Sequence, residues 1–205
     1  KQAEGANPQR VYARVMKFFI IIISVMFLMV TLFMPVWKHF IGPKYWEGLS
    51  VVPILLLANM FLGIYYNLSV WYKLSNKTLS GAYITLFGAT LTCILNYIFI
   101  PKYGYLACAW TTFLCYGSMM VLSYKWGQRS YRIPYAWKKL VAYIVIAVLF
   151  YFVQLGILAL KNNVYTNLVS GAVLVAIYCW FIATIERKEL EKLPRVGKYF
   201  VVAKT

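Results

Sequence analysis

Six long apolar runs divide this chain and limit what it can fold into. They cover residues 18–37, 49–72, 81–100, 104–124, 140–160 and 164–185, so each contains 20 to 24 residues. A helix of about 20 apolar residues crosses the hydrocarbon core of a bilayer, whereas a membrane-spanning strand needs about 10 residues in strict alternation. The four consecutive isoleucines at positions 20–23 do not alternate. The sequence therefore predicts an all-α integral membrane protein with six transmembrane helices.

Composition removes most catalytic and metal chemistry from consideration. The chain has no Asp, one His and five Glu, and none of the five Glu lies inside an apolar run. Its four Cys are isolated from one another within the apolar runs, with no CxxC pair. Metal sites need several such ligands that converge on one point. We therefore expect no metal, no cofactor and no catalytic residue, and a protein that is not an enzyme.

Lysine and arginine are distributed unequally between the loops. Seventeen of the 21 lie in segments 1–17, 73–80, 125–139 and 186–205, and four lie in the alternate loops. Basic loops remain in the cytoplasm, so both ends of the chain are predicted to be cytoplasmic. The net charge of +16 is then mainly a signal of topology, and nucleic acid is not an expected partner. Aromatic and basic residues in the interfacial loop 125–139 suit the membrane surface and its anionic lipids.

Polar residues recur at helical spacing on two of the spans. In the second, Asn59, Gly63 and Asn67 are four residues apart, with Tyr66 beside them. In the third, the stripe consists of Thr85, Gly88, Ala89, Thr92 and Asn96. Small and amide residues allow helices to pack closely in a membrane, and the same residues suit the wall of a polar cavity. Both interpretations remain open; the candidates for a substrate cavity are Asn59, Tyr66, Asn67, Thr92 and Asn96.

The loop that follows the second span is short, basic and rich in hydroxyl groups. Its lysines, Lys73 and Lys77, are candidates for attracting a phosphate headgroup or a diphosphate. The alternative is an ordinary basic loop that serves only to orient the protein in the membrane.

Two stretches of the sequence resemble a known family. One is VVPILLLAN at 51–59 followed by GIYYNLS at 63–69 and Lys77-Thr78, and the other is IPKYGY at 100–105 followed by AWTT at 109–112. Together they resemble the C-terminal half of bacterial polysaccharide biosynthesis proteins, which include the O-antigen and lipopolysaccharide flippases. Cys108 and Trp110 depart from the family pattern, which has smaller residues there.

The resemblance implies a place in the multidrug/oligosaccharidyl-lipid/polysaccharide exporter superfamily, whose members have two six-helix lobes. Residues 1–17 would connect to a missing N-terminal lobe, and residues 18–124 would supply four helices of the C-terminal lobe. Residues 140–185 would form two extra helices, and 186–205 a basic cytoplasmic tail. The implied activity is translocation of a polyprenyl-diphosphate-linked oligosaccharide across the bacterial inner membrane by alternating access.

Other functions for such a chain are a non-catalytic membrane scaffold, a drug exporter, or a polymerase or acyltransferase of the same surface-polysaccharide pathway. The loops predicted to face outward are short, which leaves little room for a catalytic site. Drug exporters commonly use carboxylates within the membrane, and the apolar runs contain none.

Overall fold

The computed structural model describes residues 8–160 and 164–187, which form eight α-helices and two short 3₁₀ turns. The helices are α1 (Pro8–Leu32), α2 (Met34–Phe40), α3 (Val52–Leu68), α4 (Val70–Leu74), α5 (Thr78–Tyr103), α6 (Tyr105–Ser130), α7 (Trp137–Leu160) and α8 (Val164–Ile185). Six helical stretches are long and apolar enough to cross a membrane. The prediction of an all-α, multi-pass membrane protein with six transmembrane helices is confirmed.

The first predicted span is displaced along the chain. It was expected at 18–37, but α1 begins at Pro8 and ends at Leu32, so the described part of the connector 1–17 is helical. Pro35 then lies in the first turn of the separate helix α2. Proline is tolerated there because the first turn of a helix does not use its backbone N–H groups.

The second predicted span, 49–72, consists of three helical pieces. A 3₁₀ turn at Glu47–Val51 leads into α3, where Pro53 occupies the first turn, and α3 ends one residue before α4. The break falls at Ser69, whose hydroxyl donates to the Tyr66 carbonyl at 2.6 Å. A serine hydroxyl that bonds to a backbone carbonyl in this way favours a bend.

Two further helices extend beyond the boundaries predicted for their spans. Pro101 does not end the third span at Ile100, because α5 continues to Tyr103 with the proline in its last turn. The predicted loop 125–139 is helical up to Ser130, and the irregular segment covers only residues 131–136. Gln128 Nε2 donates to the Ile133 carbonyl at 2.9 Å and holds this shorter segment against the end of α6.

A single residue, Gly104, joins α5 to α6 and has a φ of +57°. That backbone angle strains residues with a side chain, so glycine is the residue that suits this abrupt reversal.

The helices pack in a definite order. Helix α1 contacts α3, α7 and α8, whereas α6 contacts both α3 and α5. Helix α6 therefore lies between α3 and α5, and α1 lies between α3 and the pair α7–α8. Only 11% of the most apolar stretch of α5 is buried within the described chain, against 39% of that of α1. Helix α5 is therefore the outermost helix of the bundle.

The basic segments meet at one end of this bundle, which we call the basic end. Lys17 contacts Glu186 across the sequence, and Lys77 Nζ donates to the Ser130 hydroxyl at 3.4 Å. Successive spans run in opposite directions, so every second connection lies at the same end of the bundle. This end therefore collects the described parts of segments 1–17, 73–80, 125–139 and 186–205. That this end faces the cytoplasm stays a prediction.

Candidate functional site

The predicted polar stripe on α3 remains largely outside the core. Asn59 is exposed and Asn67 is half-buried, and each side-chain amide donates to the carbonyl four residues earlier in α3, at 2.8 and 3.0 Å. Tyr66 is 62% exposed. Between the two amides, a Cβ atom on Gly63 would lie 2.3 Å from the Phe19 ring of α1. Glycine at this position therefore allows α1 and α3 to pack closely, while Asn59 and Tyr66 present polar and aromatic surface outward.

The predicted stripe on α5 contacts its neighbour α6 at Gly88 and Asn96, whereas Thr85 and Ala89 are exposed. Asn96 Oδ1 accepts a 2.5 Å hydrogen bond from the hydroxyl of Thr111, which is buried on α6. Thr92 donates to the Gly88 carbonyl within its own helix at 2.9 Å. A Cβ atom on Gly88 would lie 2.3 Å from the Met119 sulfur of α6. Close packing of helices, one of the two interpretations left open, accounts for Gly88 and Asn96 in the described chain.

The two stripes do not meet. Helix α6 separates α3 from α5, so Asn59 and Tyr66 do not share a cavity with Thr92 and Asn96 in the described chain. Helical spacing establishes which residues share a face, but the order of helices in the bundle decides what that face contacts. Contact of any of these residues with a substrate stays a prediction.

Lys73 and Lys77, the candidates for a phosphate or diphosphate, are both exposed at the basic end. Lys73 lies near the end of α4, and Lys77 immediately precedes α5. Asn76, between them in the chain, has a φ of +53°, which asparagine tolerates better than most residues. The turn therefore holds both lysines at the surface. This position is compatible with attraction of a phosphate group and equally with a basic loop that only orients the protein in the membrane.

The sequence analysis missed a buried carboxylate. Glu186, assigned to the tail, is only 2% exposed and lies where α1, α7 and α8 meet. Its Oε2 accepts a 2.6 Å bond from Lys17 Nζ, its Oε1 accepts a 2.6 Å bond from the Tyr143 hydroxyl, and Lys139 Nζ lies 3.9 Å from Oε1. This group joins three helices through one side chain. The assignment of all of 186–205 to a tail is therefore wrong at Glu186, and the residues from 188 onward lie outside the described part of the chain.

Burial alone raises the pKa of Glu186, but the hydrogen bonds from Lys17 and Tyr143 and the charges of Lys17 and Lys139 outweigh burial and lower that pKa below its usual value. The carboxylate is therefore ionised at neutral pH. A signal for this group exists in the sequence: Glu186 directly follows an apolar run, and Lys17 directly precedes another.

A second polar group was also missed, between α7 and α8. Gln154 and Asn167 are both buried, and Gln154 Nε2 donates to both the side chain and the backbone carbonyl of Asn167. The Ser170 hydroxyl donates to Gln154 Oε1 at 3.0 Å. The signal was one isolated amide in each of two successive apolar runs, because an antiparallel helix pair brings together residues at similar distances from its turn.

Next to this amide pair, a cavity of about 470 Å³ opens at the end of the bundle opposite the basic end. Its walls come from α1, α2, α7, α8, the 3₁₀ turn at Glu47–Val51 and the first turn of α3, and they include Asn167, Lys38 and His39. Lys38 Nζ lies 4.0 Å from the centre of the Trp46 ring, in a cation–π contact. The rim of the cavity thus carries a fixed positive charge.

The described residues contain no group of three or more His, Cys, Asp or Glu side chains that could hold a metal ion. No protein-family model, curated protein or solved structure matches this chain.

Proposed function

We propose that this chain forms part of a flippase that moves a polyprenyl-diphosphate-linked oligosaccharide across the bacterial inner membrane, with the basic end in the cytoplasm. The observation that carries the proposal is the exposed polar face of α3. Asn59 and Tyr66 lie within the stretch that resembles the polysaccharide flippases, and both side chains point away from the core of the described chain.

Such a face needs a polar environment. Polar residues within a membrane span normally face a protein interior or a water-filled cavity, because contact with hydrocarbon is costly. Asn59 does not face the interior of the described bundle, which favours a cavity shared with further protein. Amide groups can exchange hydrogen bonds with sugar hydroxyls, and the ring of Tyr66 offers an apolar face on which a sugar ring can stack. These groups suit the glycan part of the substrate.

The packing order of the helices also supports the proposal. Helices α7 and α8 pack mainly on α1 and on each other, whereas α3, α5 and α6 form a connected group. Such an arrangement agrees with a pair of helices appended to a four-helix unit. Most of the α5 surface is uncovered, which leaves it available for lipid or for a second lobe that rocks against the first.

Export of glycan by cells provides the test. In cells that lack the gene, lipid-linked oligosaccharide should accumulate internally, and the wild-type gene should restore surface glycan. We expect Asn59→Leu and Tyr66→Leu to reduce surface glycan several-fold without a change in protein level or melting temperature.

The matched control is Thr184→Leu. Thr184 is also an exposed polar residue that donates to the carbonyl four residues earlier, but it lies on α8. This variant should export glycan normally. Normal export by the α3 variants, or a loss no greater than the loss of protein, would remove the support for a substrate-facing role.

A further inference from the structure

The cavity of about 470 Å³ at the end opposite the basic end, which we call the Asn167 cavity, has the composition of a small-molecule site. Its volume lies within the range of about 300–1,000 Å³ found for such sites, which combine apolar walls with a few polar groups. The polar residues here are Thr31, Lys38, His39, Ser50 and Asn167, and most of the other lining residues are apolar or aromatic. The positions of these polar groups indicate the chemistry of a ligand.

The side-chain amide of Asn167 is a buried donor in the wall of this cavity. Asn167 is only 3% exposed, and its Oδ1 and backbone carbonyl both accept from Gln154 Nε2. Its own Nδ2 carries two N–H groups and donates to no atom of the residues that the structure describes. A buried donor without an acceptor is costly, so this amide favours a ligand that places an oxygen against it.

Thr31 supplies an acceptor to the same cavity. Its side chain is 5% exposed, and its hydroxyl donates to the Phe27 carbonyl at 2.8 Å, which leaves the lone pairs of that oxygen for a second partner. Helices α1 and α8 are close together here, because a Cβ atom on Gly171, one turn beyond Asn167, would lie 3.4 Å from Leu32 Cβ. A hydroxyl group both donates and accepts, so one ligand hydroxyl can accept from Asn167 and donate to Thr31.

Lys38 places a cation at the rim of the cavity. Its Nζ lies 4.0 Å from the centre of the Trp46 ring, and Trp46 Nε1 donates to the Ile41 carbonyl at 2.9 Å, which fixes the ring. An ammonium group has three N–H donors, so Lys38 can bond to a phosphate oxygen while it stays on the ring. We propose that the Asn167 cavity binds a phosphate ester that carries a free hydroxyl group, with the hydroxyl at Asn167 and the phosphate at Lys38.

The level of the cavity favours a membrane lipid as the source of this ester. The aromatic residues Trp37, Tyr45 and Trp46 are exposed at this end of the bundle, and such residues mark the level of the lipid headgroups. Leu155 and Val164 line the cavity and are also exposed, near the adjoining ends of α7 and α8. Acyl chains can therefore lie along these two helices while the headgroup enters the cavity. Phosphatidylglycerol combines a phosphate diester with free hydroxyl groups.

The first test compares two lipids on the full chain purified in detergent, with bound lipid counted by native mass spectrometry. Phosphatidylpropanol is the matched ligand, because it has the charge of phosphatidylglycerol without the hydroxyl groups. We expect phosphatidylglycerol to bind about tenfold more tightly, as the loss of a hydrogen bond to a buried group requires. Equal affinities would overturn the proposal, and this comparison does not depend on the folding of any variant.

Variants then assign the two contacts. Asn167→Leu should weaken phosphatidylglycerol binding about tenfold and leave phosphatidylpropanol binding unchanged. Lys38→Gln should weaken the binding of both lipids about fivefold. The matched control, Lys44→Gln, removes an exposed lysine at the same end but outside the cavity, and it should change either affinity less than about twofold. Equal losses from the two lysine variants, or a preference for phosphatidylglycerol that survives Asn167→Leu, would overturn the proposal.

Glycerol phosphate distinguishes a lipid from a soluble ester of the same chemistry. Bound phosphatidylglycerol should persist in millimolar glycerol phosphate, because only the lipid gains affinity from its acyl chains. Displacement at that concentration would overturn the lipid as the source and assign the cavity to a soluble phosphate ester.

Discussion

The two sides of this bundle are held together by different interactions. Helices α1, α7 and α8 share a buried carboxylate, Glu186, and α7 and α8 also share a buried amide pair, Gln154 and Asn167. Helix α5, at the other side, is attached to α6 by small residues and by the bond between Thr111 and Asn96. The first side is closed by directional bonds to groups that have little access to solvent. The second side depends on shape, and most of its surface is uncovered in the described chain.

This difference indicates which helices are fixed and which are free to exchange contacts. A buried, charge-assisted network is strongly destabilised when one member is removed, so it resists rearrangement. Interhelical hydrogen bonds in membranes are worth about 0.6 kcal/mol on average, so the α5–α6 contact depends mainly on close packing. We therefore expect mutations on the two sides to have unequal effects on stability.

The largest effect should come from Glu186→Gln. The substitution removes the carboxylate that pairs with Lys17 at 2.6 Å, where the lysine is only 12% exposed, and breaking a buried ion pair in this way costs about 3 kcal/mol. The free energy of unfolding in mixed micelles should fall by that amount. Glu47→Gln, which removes an exposed carboxylate at the opposite end, is the control and should change nothing measurable.

A second comparison tests whether charge is the cause. The double variant Lys17→Met/Glu186→Gln removes both charges of the buried pair and leaves only the more exposed Lys139, so it should be more stable than Glu186→Gln alone. If the double variant is less stable than either single variant, the ion pair does not join these helices.

A smaller effect should appear when pH is varied. Because the pKa of Glu186 is lowered in the folded protein, its contribution to stability is fully present above its unfolded pKa, near 4.5, and is lost as pH falls through the folded value. The difference in unfolding free energy between the wild type and Glu186→Gln should therefore be constant from neutral pH to about 4.5 and should narrow below it. A difference that stays constant into strong acid would contradict the direction of the shift.

The smallest effects concern the hydrogen bonds between neighbouring helices. Asn96→Leu should lower the free energy of unfolding by about 0.6 kcal/mol, since it removes one bond to Thr111. Gln154→Leu should cost more, up to about 2 kcal/mol, because Gln154 bonds to both Asn167 and Ser170. Asn59→Leu serves as control, since Asn59 is exposed and bonds only within α3. A larger loss from Asn96→Leu than from Gln154→Leu would reverse the ranking of the two sides.

The sequence predicts the number of transmembrane helices and the collection of basic segments at one end, because both depend on local properties. An apolar run of sufficient length spans a membrane whatever surrounds it, and the alternation of loops follows from the number of runs. The helix ends were less predictable. Pro101 interrupts the apolar pattern at a point where the helix still has one turn to complete.

The site was harder to predict because its contacts are distant in sequence. Glu186 follows α8 directly and has the pattern of a solvated tail residue, and only the position of Lys17, 169 residues earlier, reveals that it is buried. The spacing of the stripe on α5 correctly indicates residues that share one face of a helix, but it does not indicate that α6 packs against that face. Asn59 and Tyr66 are exposed and Asn67 is half-buried in the described chain, so the contacts within this chain do not show what these residues do.

Gly104 restricts how α5 and α6 can move relative to each other. Each of α5 and α6 contains 26 residues, which gives a length of about 39 Å, and one residue is too short a link to let their adjacent ends slide apart. Relative motion of the two helices is then confined to a hinge rotation about Gly104. A change of about 10° in the angle would displace the far ends by about 7 Å while the corner hardly moves. Any gap between α5 and α6 must therefore open from the basic end and remain closed at the other.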